Sequence, residues 1–327
     1  MRKIIEHPRY ELVGAYVYSD AKVGKDAGDL CGVGPTGIIA TNDIDQLIAT
    51  KPDCVIYMPM MDLHSIDDMC RLLESGANIV TTAMYFHHPA SMNPDEREQL
   101  EAACKRGNTS LYDTGGGSPG FIVEAFPLTA LLMERRLDRY SVLKNVDMSA
   151  RKSAEMNREL FGMGPDDVNI TGILDRHAKT DCAGLKQLAD AIGTPLDDMK
   201  LSATVAMATK RVQLVGVTVE PGTVAAWRFE ATGIRAGKPY LTFARTMWVT
   251  KDLDPAWEIE GSGWHLIIEG DAPMNIVIDF PPPEIYLPLS GNFMSNVPVN
   301  AVLALCQYDG EPGIRTTDEL RLVPIFS

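Results

Sequence analysis

Apolar and polar positions follow two different rhythms along this chain. Up to about residue 115, short apolar runs alternate with amphipathic ones. The runs ELVGAYVYS (11–19), DCVIYMP (53–59), ANIVTT (77–82) and TSLYDTG (109–115) read as strands, with IIAT (38–41) a shorter β-branched piece. Between them, DIDQLIATK predicts a helix capped by Asn42 or Asp43, and DLHSIDDMCRLLESG an amphipathic helix closed by Gly76. NPDEREQLEAACKRG predicts a third helix, with Asn93 as cap, Pro94 at its first position and Gly107 at its end. Apolar strands alternating with helices imply a parallel α/β sheet.

Beyond residue 121 the rhythm changes. FIVEAFPLTALLMERRL (121–137) reads as one long helix, and CAGLKQLADAIG (182–193) as another. Around them lie long alternating runs: YSVLKNVDMSA, KLSATVAMAT, QLVGVTVE, TVAAWRFEATGIR, PYLTFARTMWVT, WHLIIEG and NIVIDFP. Alternation with turns such as RAGK implies an open antiparallel sheet in an α+β domain. FPPPE (280–284) marks a boundary, and the tail reads as a helix and loop returning to the first domain. The expected division is a first domain of residues 1–120 and 291–327, and a second domain of residues 121–290.

The chain starts at an odd point in this pattern. A short helical run, residues 1–6, feeds the strand 11–19, which is the second half of a βαβ unit without its first strand. No G-x-G-x-x-G turn occurs. About 20 residues carrying the first strand and its glycine turn are expected to be absent, judged by the ~30-residue size of such a unit. On that expectation the sequence starts at an internal methionine and the sheet lacks a central strand; the alternative is a short variant whose sheet begins at ELVGAYVYS.

Composition narrows the classes. With 45% hydrophobic and 23% charged residues in 327, the chain has ample material for a core. A formal net charge of −14 speaks against nucleic acid as a partner. No run of about 18 apolar residues is evident, so no membrane span is expected. Six scattered cysteines without a C-x-x-C pair imply a reduced, cytoplasmic protein with no metal site.

Five stretches carry a family resemblance: VGKDAGDLCGVGPTG, KPDCVIYMP, ANIVTTAMYFHHP, NTSLYDTGGGSPGF and EPGIRTTDEL. The chain resembles the dihydrodipicolinate reductase-like group, closest to its diaminopentanoate dehydrogenases and NAD(P)H-dependent amine dehydrogenases. The resemblance spans nearly the whole chain and is most specific in the first 125 residues. It implies that residues 1–120 and 291–327 form a dinucleotide-binding domain with a Rossmann-type parallel sheet, that 121–290 form a substrate and oligomerisation domain, and that an NADP or NAD cofactor lies across the ends of the parallel strands.

At the end of the second strand, Ser19 and Lys22, with Lys25, favour the 2′-phosphate of NADP, while Asp20 favours NAD. In the resemblance, Met58, Pro59 and Met60 pass under the nicotinamide ribose. Thr81 and Thr82 end a strand at the ligand-bearing edge. Gly115, Gly116 and Gly117 allow close backbone approach where nicotinamide and substrate meet. Amine dehydrogenases of the group carry a glutamate shortly after the paired threonines. Here that place reads Ala83-Met84-Tyr85-Phe86, so Tyr85, His87 and His88 are the candidate acid or base groups. DRHAKTDCAG (175–184) aligns only loosely with the reductase signature through His177, Lys179 and Asp181, and Asp181 reads better as a helix cap. His265 reads as packed or solvated, and most tryptophans as core.

These readings converge on an NAD(P)-dependent oxidoreductase acting on a C=N/CH–NH bond or a related carbonyl of a small, apolar substrate. A homodimer or homotetramer is expected from the large antiparallel sheet. The alternatives are a catalytically impaired nucleotide-fold protein that only binds ligand, and a reductase of a cyclic imine acid.

Overall fold

The computed structural model describes residues 1–59 and 64–324, with backbone alone at Ile173 and residues 176–179. The strands are β1 (Cys54–Tyr57), β2 (Asn78–Thr81), β3 (Ser110–Asp113), β4 (Leu137–Asp147), β5 (Asp198–Ala208), β6 (Val212–Leu214), β7 (Val217–Val219), β8 (Val224–Arg235), β9 (Lys238–Trp248), β10 (Leu253–Asp254), β11 (Gly263–Gly270), β12 (Met274–Asp279) and β13 (Gly313–Arg315). The α-helices are α1 (Arg2–Ile5), α2 (Ala27–Cys31), α3 (Ile44–Ala49), α4 (Ile66–Glu74), α5 (Pro94–Gly107), α6 (Phe126–Ala130), α7 (Ala154–Leu160), α8 (Ile170–Ala191) and α9 (Pro283–Cys306). Two compact units result, Met1–Phe121 with Phe293–Ser327, and Ile122–Asn292.

The first unit holds a parallel sheet in the order β1-β2-β3-β13. Its strands are only three or four residues long, and β3 is buried at every position. Capping chemistry sets the helices. Asp43 accepts from Asp45 N, Ser65 from Asp68 N and Asn93 from Asp95 N, each closing a first turn. The apolar faces of α4 and α5 meet in a core of Met69, Leu72, Leu73, Leu100, Ala103 and Leu111. Helix α5 ends at Gly107, as expected, and its C-cap is a left-handed Asn108 (φ 54°).

The segment 11–19 is a correction to the sequence reading. It forms no strand, only an isolated parallel bridge of Tyr16 to Thr41. A strand needs a partner along its length, and this one has a neighbour on one side only.

The second unit is a seven-stranded sheet in the order β10-β5-β8-β9-β4-β11-β12. It is antiparallel except for the parallel pair β4–β9, which the alternation alone did not indicate. QLVGVTVE splits into the hairpin β6–β7, bent at Gly216 (φ 85°). Helix α8 packs Leu185, Leu188 and Ala189 with Tyr140, Val142, Leu241 and Phe243 in one core cluster. It starts twelve residues before CAGLKQLADAIG, capped by Asn169 rather than by Asp181. The expected boundary at 280–284 is instead the start of α9, because the prolines stand in and before a first turn, where no N–H is needed.

The long helix expected over 121–137 is broken. Gly116–Ala125 is a wide helical stretch kinked at Ser118, followed by α6 and a 3₁₀ turn. Gly116–Met133 is an 18-residue window long and apolar enough to cross a membrane by length and composition, contrary to the expectation that none exists. Ile122 and Val123 within it are fully buried in the core of the second unit.

Candidate functional site

The carboxyl ends of β1, β2 and β3 lie at one edge of the parallel sheet. Tyr57 stands opposite Thr81, and Thr81 opposite Asp113. The segments that begin at Met58, Thr82 and Thr114 therefore leave the sheet side by side, and this is where ligands bind in open α/β sheets. Thr81 and Thr82 are buried, whereas Met58 is 44% exposed at the rim. Met60 lies outside the described residues.

Asp113 organises this edge. Fully buried, it accepts Tyr85 N (2.9 Å) and Phe86 N (3.0 Å) on one oxygen and Gly115 N (3.0 Å) on the other. The threonines complete the frame. Ala83 N donates to Thr81 Oγ1 (3.1 Å), while Thr114 N and its hydroxyl donate to the Thr81 carbonyl (2.9 and 3.1 Å). Asp113 is not among the residues expected from the motifs, although a carboxylate ending a strand before three glycines was the available signal.

Tyr85, His87 and His88 come together on the loop after Thr82. The Tyr85 hydroxyl donates to Glu96 Oε2 (2.6 Å) and accepts Asn93 N (3.2 Å), and its ring stacks on His64 with centroids 5.0 Å apart. Burial, and then the Glu96 carboxylate, hold the phenol above its ordinary pKa. Its proton is thus committed to Glu96. His87 is buried, and the His88 ring is set by a 2.7 Å contact between Nδ1 and Ser91 Oγ.

Gly115 (φ 55°) and Gly116 (φ 60°) occupy left-handed backbone. A Cβ on Gly115, Gly116 or Gly117 would meet Gly120 N at 2.7 Å, Met294 Cε at 2.4 Å and the Phe293 carbonyl at 2.9 Å respectively. The glycines of this turn make room for the chain itself.

Ser19 and Lys22 sit apart from that edge group in sequence, on an exposed 3₁₀ turn where Lys22 N donates to the Ser19 carbonyl at 2.8 Å. The following loop is tied by Asp26, which accepts Gly28 N (2.7 Å), Thr36 N (3.0 Å) and Gly37 N (2.7 Å). Those backbone donors lower its carboxyl to about 2, with Thr36 contributing most. Gly28 is required there, since a Cβ would lie 1.9 Å from the Gly34 carbonyl.

In the second unit, Asp181 lies inside α8 and pairs with Arg245 of β9 at 2.6 Å, both well buried. Arg245 stands beside Lys144 of β4 in register. Burial first, and Arg245 next, bring the Lys144 ammonium down to about 8. The sequence reading missed this charged row because its members lie 37 to 101 residues apart, with Asp181, Arg245 and Lys144 on three different elements. The side chains of His177 and Lys179 lie outside the described residues. His265 bonds Asn275 on the neighbouring strand. Trp227, Trp248 and Trp264 are core residues, and Trp257 carries the Arg228 guanidinium 4.6 Å from its ring centroid.

The fold defined by these two units is that of a Rossmann-type dehydrogenase. The chain is similar to an amine dehydrogenase from Streptomyces virginiae, 28% identical over 291 residues that cover 85% of this chain and 81% of that protein. The structure of an amine dehydrogenase from Mycobacterium smegmatis superposes with a TM-score of 0.73 at 20% identity, covering 96% of this chain and 90% of that one. GenD2 from gentamicin A biosynthesis, solved in complex with NAD, superposes with a TM-score of 0.51 at 13% identity, covering 97% and 85%. No family profile matches the chain. The resemblance to amine dehydrogenases, expected from the motifs, is borne out.

Proposed function

We propose that this protein is an NAD(P)-dependent oxidoreductase that interconverts a small amine and its imine or carbonyl counterpart. The observation that carries this reading is the similarity to an amine dehydrogenase along 85% of the chain. The strand-end segments meeting at one sheet edge add to it.

The residues present fit a nicotinamide dinucleotide at its two ends. Ser19, Asp20 and Lys22 offer a hydroxyl, a carboxylate and a cation on an exposed turn to an adenosine ribose, Lys22 suiting the additional phosphate of NADP. Met58, Pro59, Thr81 and Thr82 offer apolar surface and backbone at the sheet edge to the nicotinamide end. When bound, that group supplies the hydride acceptor and donor.

The chain itself must move the proton on nitrogen. Tyr85, His87 and His88 are the candidates of this loop, and His88, oriented by Ser91, is the one we assign. The Glu96 contact gives Tyr85 a positioning role for the loop instead. A small apolar amine suits the loop, which places no carboxylate at 83–86. That same lack favours the second reading, a protein that binds ligand without turnover.

Two measurements test the assignment. A panel of small aliphatic and aromatic amines is assayed with NAD⁺ and with NADP⁺ by nicotinamide absorbance, and reduced-cofactor binding is followed by fluorescence. Binding with turnover supports the reading. Binding without turnover selects the ligand-only alternative, and no affinity for either cofactor overturns both. His88→Gln is expected to lower kcat by about 100-fold with an altered pH profile, while Tyr85→Phe retains most activity.

A further inference from the structure

Within the first unit, two cysteines far apart in sequence meet side by side. Cys54 opens β1, and Cys306 closes α9. Cys54 stands in register with Asn78 of the parallel neighbour β2, so the two side chains leave the sheet on the same face. The Asn78 amide reaches the Cys306 sulfur at 3.9 Å and donates to the Asp53 carbonyl at 3.2 Å. The Cys306 thiol lies 3.9 Å from that same carbonyl, which belongs to the residue bonded to Cys54. Cys306 is thus held from two sides against the first residue of β1. Packing agrees, since Cys54 lies against a cluster containing Val80, Ala301 and Leu305, and Leu305 directly precedes Cys306.

The two thiols differ in access and in acidity. Cys306 is exposed and Cys54 is half-buried. The Cys54 thiol donates to Cys306 and holds the Cys306 thiol below its ordinary range, while the same bond, with burial, holds Cys54 well above it. An accessible thiolate beside a second thiol is the arrangement that peroxides oxidise selectively. Cys70 on α4 and Cys104 on α5 also interact, but Cys104 is fully buried, and burial pushes its thiol up to about 12. That pair offers no comparable thiolate.

We propose that Cys306 and Cys54 form an oxidative modification site, at which a hydroperoxide converts Cys306 to a sulfenic acid and Cys54 resolves it into a disulfide joining α9 to β1. In the first step the Cys306 sulfur attacks one peroxide oxygen and the O–O bond breaks. The sulfur keeps a hydroxyl, and the other oxygen leaves as water or an alcohol. In the second step the Cys54 sulfur attacks the Cys306 sulfur. An S–S bond forms, the S–O bond breaks, and the departing hydroxide takes the Cys54 proton as water. Two thiols are oxidised by two electrons, and one hydroperoxide is reduced. The site draws on no nicotinamide and no amine, so its test stands apart from that of the proposed activity.

The full chain is reduced, freed of reductant and titrated with hydrogen peroxide, and its intact mass and tryptic peptides are read. Loss of two hydrogens per chain, with the Cys54 and Cys306 peptides linked, is expected. Before oxidation, iodoacetamide is expected to label Cys306 about tenfold faster than any other cysteine. In Cys54→Ser, dimedone should trap a sulfenic acid at Cys306 with no disulfide formed. In Cys306→Ser, Cys54 should remain a thiol. Oxidation of wild-type Cys306 to a sulfinic acid while Cys54 can still be alkylated overturns the proposal. A disulfide from another pair, or between two chains on a non-reducing gel, overturns it as well. The wild-type peptide map decides the matter by itself, whether or not the serine variants fold.

Discussion

Asp113 in the first unit and Asp181 in the second are both buried carboxylates, 0% and 4% exposed, and they are accommodated in opposite ways. Asp113 spends its lone pairs on three backbone N–H groups from two loops. Asp181 faces a guanidinium and lies near a second cation. Backbone donors fix the path of a chain, so Asp113 shapes the loops at the sheet edge. Side-chain cations carry charge that burial penalises, so Asp181 makes a sheet face bearing Lys144 and Arg245 tolerable. A carboxylate can thus buttress a site's geometry in one unit and balance charge in the other.

The largest effect expected from breaking this contrast is at Asp113. Asp113→Ala strands three buried donors, each bond to a charged acceptor contributing about 1.5–3 kcal/mol, so a loss of about 5 kcal/mol in urea unfolding is expected. Activity should fall with it, because residues 85, 86 and 115 lose their common anchor. Asp181→Asn should cost less, about 3 kcal/mol, through two cations left without their carboxylate. Replacing the Asp181 and Arg245 pair by leucines should recover most of that loss. A double replacement no more stable than Asp181→Asn would show that the pair is needed for more than charge balance.

Lys144 comes next, with the opposite sign. Its folded pKa, about 8, lies below the ordinary 10.5. The unfolded chain therefore binds more protons between those values, and stability rises as pH increases from 8 toward 10.5. Below pH 8 the full penalty is present. Lys144→Met should remove that rise and stabilise the protein at pH 7 by about 1–3 kcal/mol, discounted for partial exposure. Thermal melts at pH 7 and 10 check both statements.

What the sequence made legible follows from range. Asn93-Pro94 announced the start of α5 because capping is a matter of adjacent residues, and the alternation of β8 and β9 is likewise local. The cluster of Thr81, Thr82 and Gly115 to Gly117 could be proposed because each closes a strand or follows one within a few residues. Asp181 was misread as a cap since its partner, Arg245, is 64 residues away. The strand at 11–19 was misread for the reverse reason, as its local propensity is right but its pairing is confined to the contact with Thr41 on one side. The break at Ser118 is local, because Ser118 precedes Pro119 and the residue before a proline is pushed out of the helical region, here to φ −161° and ψ 122°.

The smallest effect sharpens the comparison further, because Asp26 repeats the Asp113 arrangement in an open loop. It too gathers backbone N–H groups, from Gly28, Asp29, Thr36 and Gly37. Its carboxyl is lowered from 3.8 to about 2, so its contribution is complete above pH 3.8 and disappears as the pH falls through about 2. Global stability should barely register Asp26→Asn, since water can replace the lost acceptor. Amide exchange should register it locally, with Thr36 and Gly37 exchanging faster in the variant at neutral pH and Asp113-bound Tyr85 and Phe86 unaffected. If Thr36 and Gly37 keep their protection in the variant, the loop is held by its glycine geometry and not by the carboxylate. The two aspartates would then share a hydrogen-bond pattern without sharing a role.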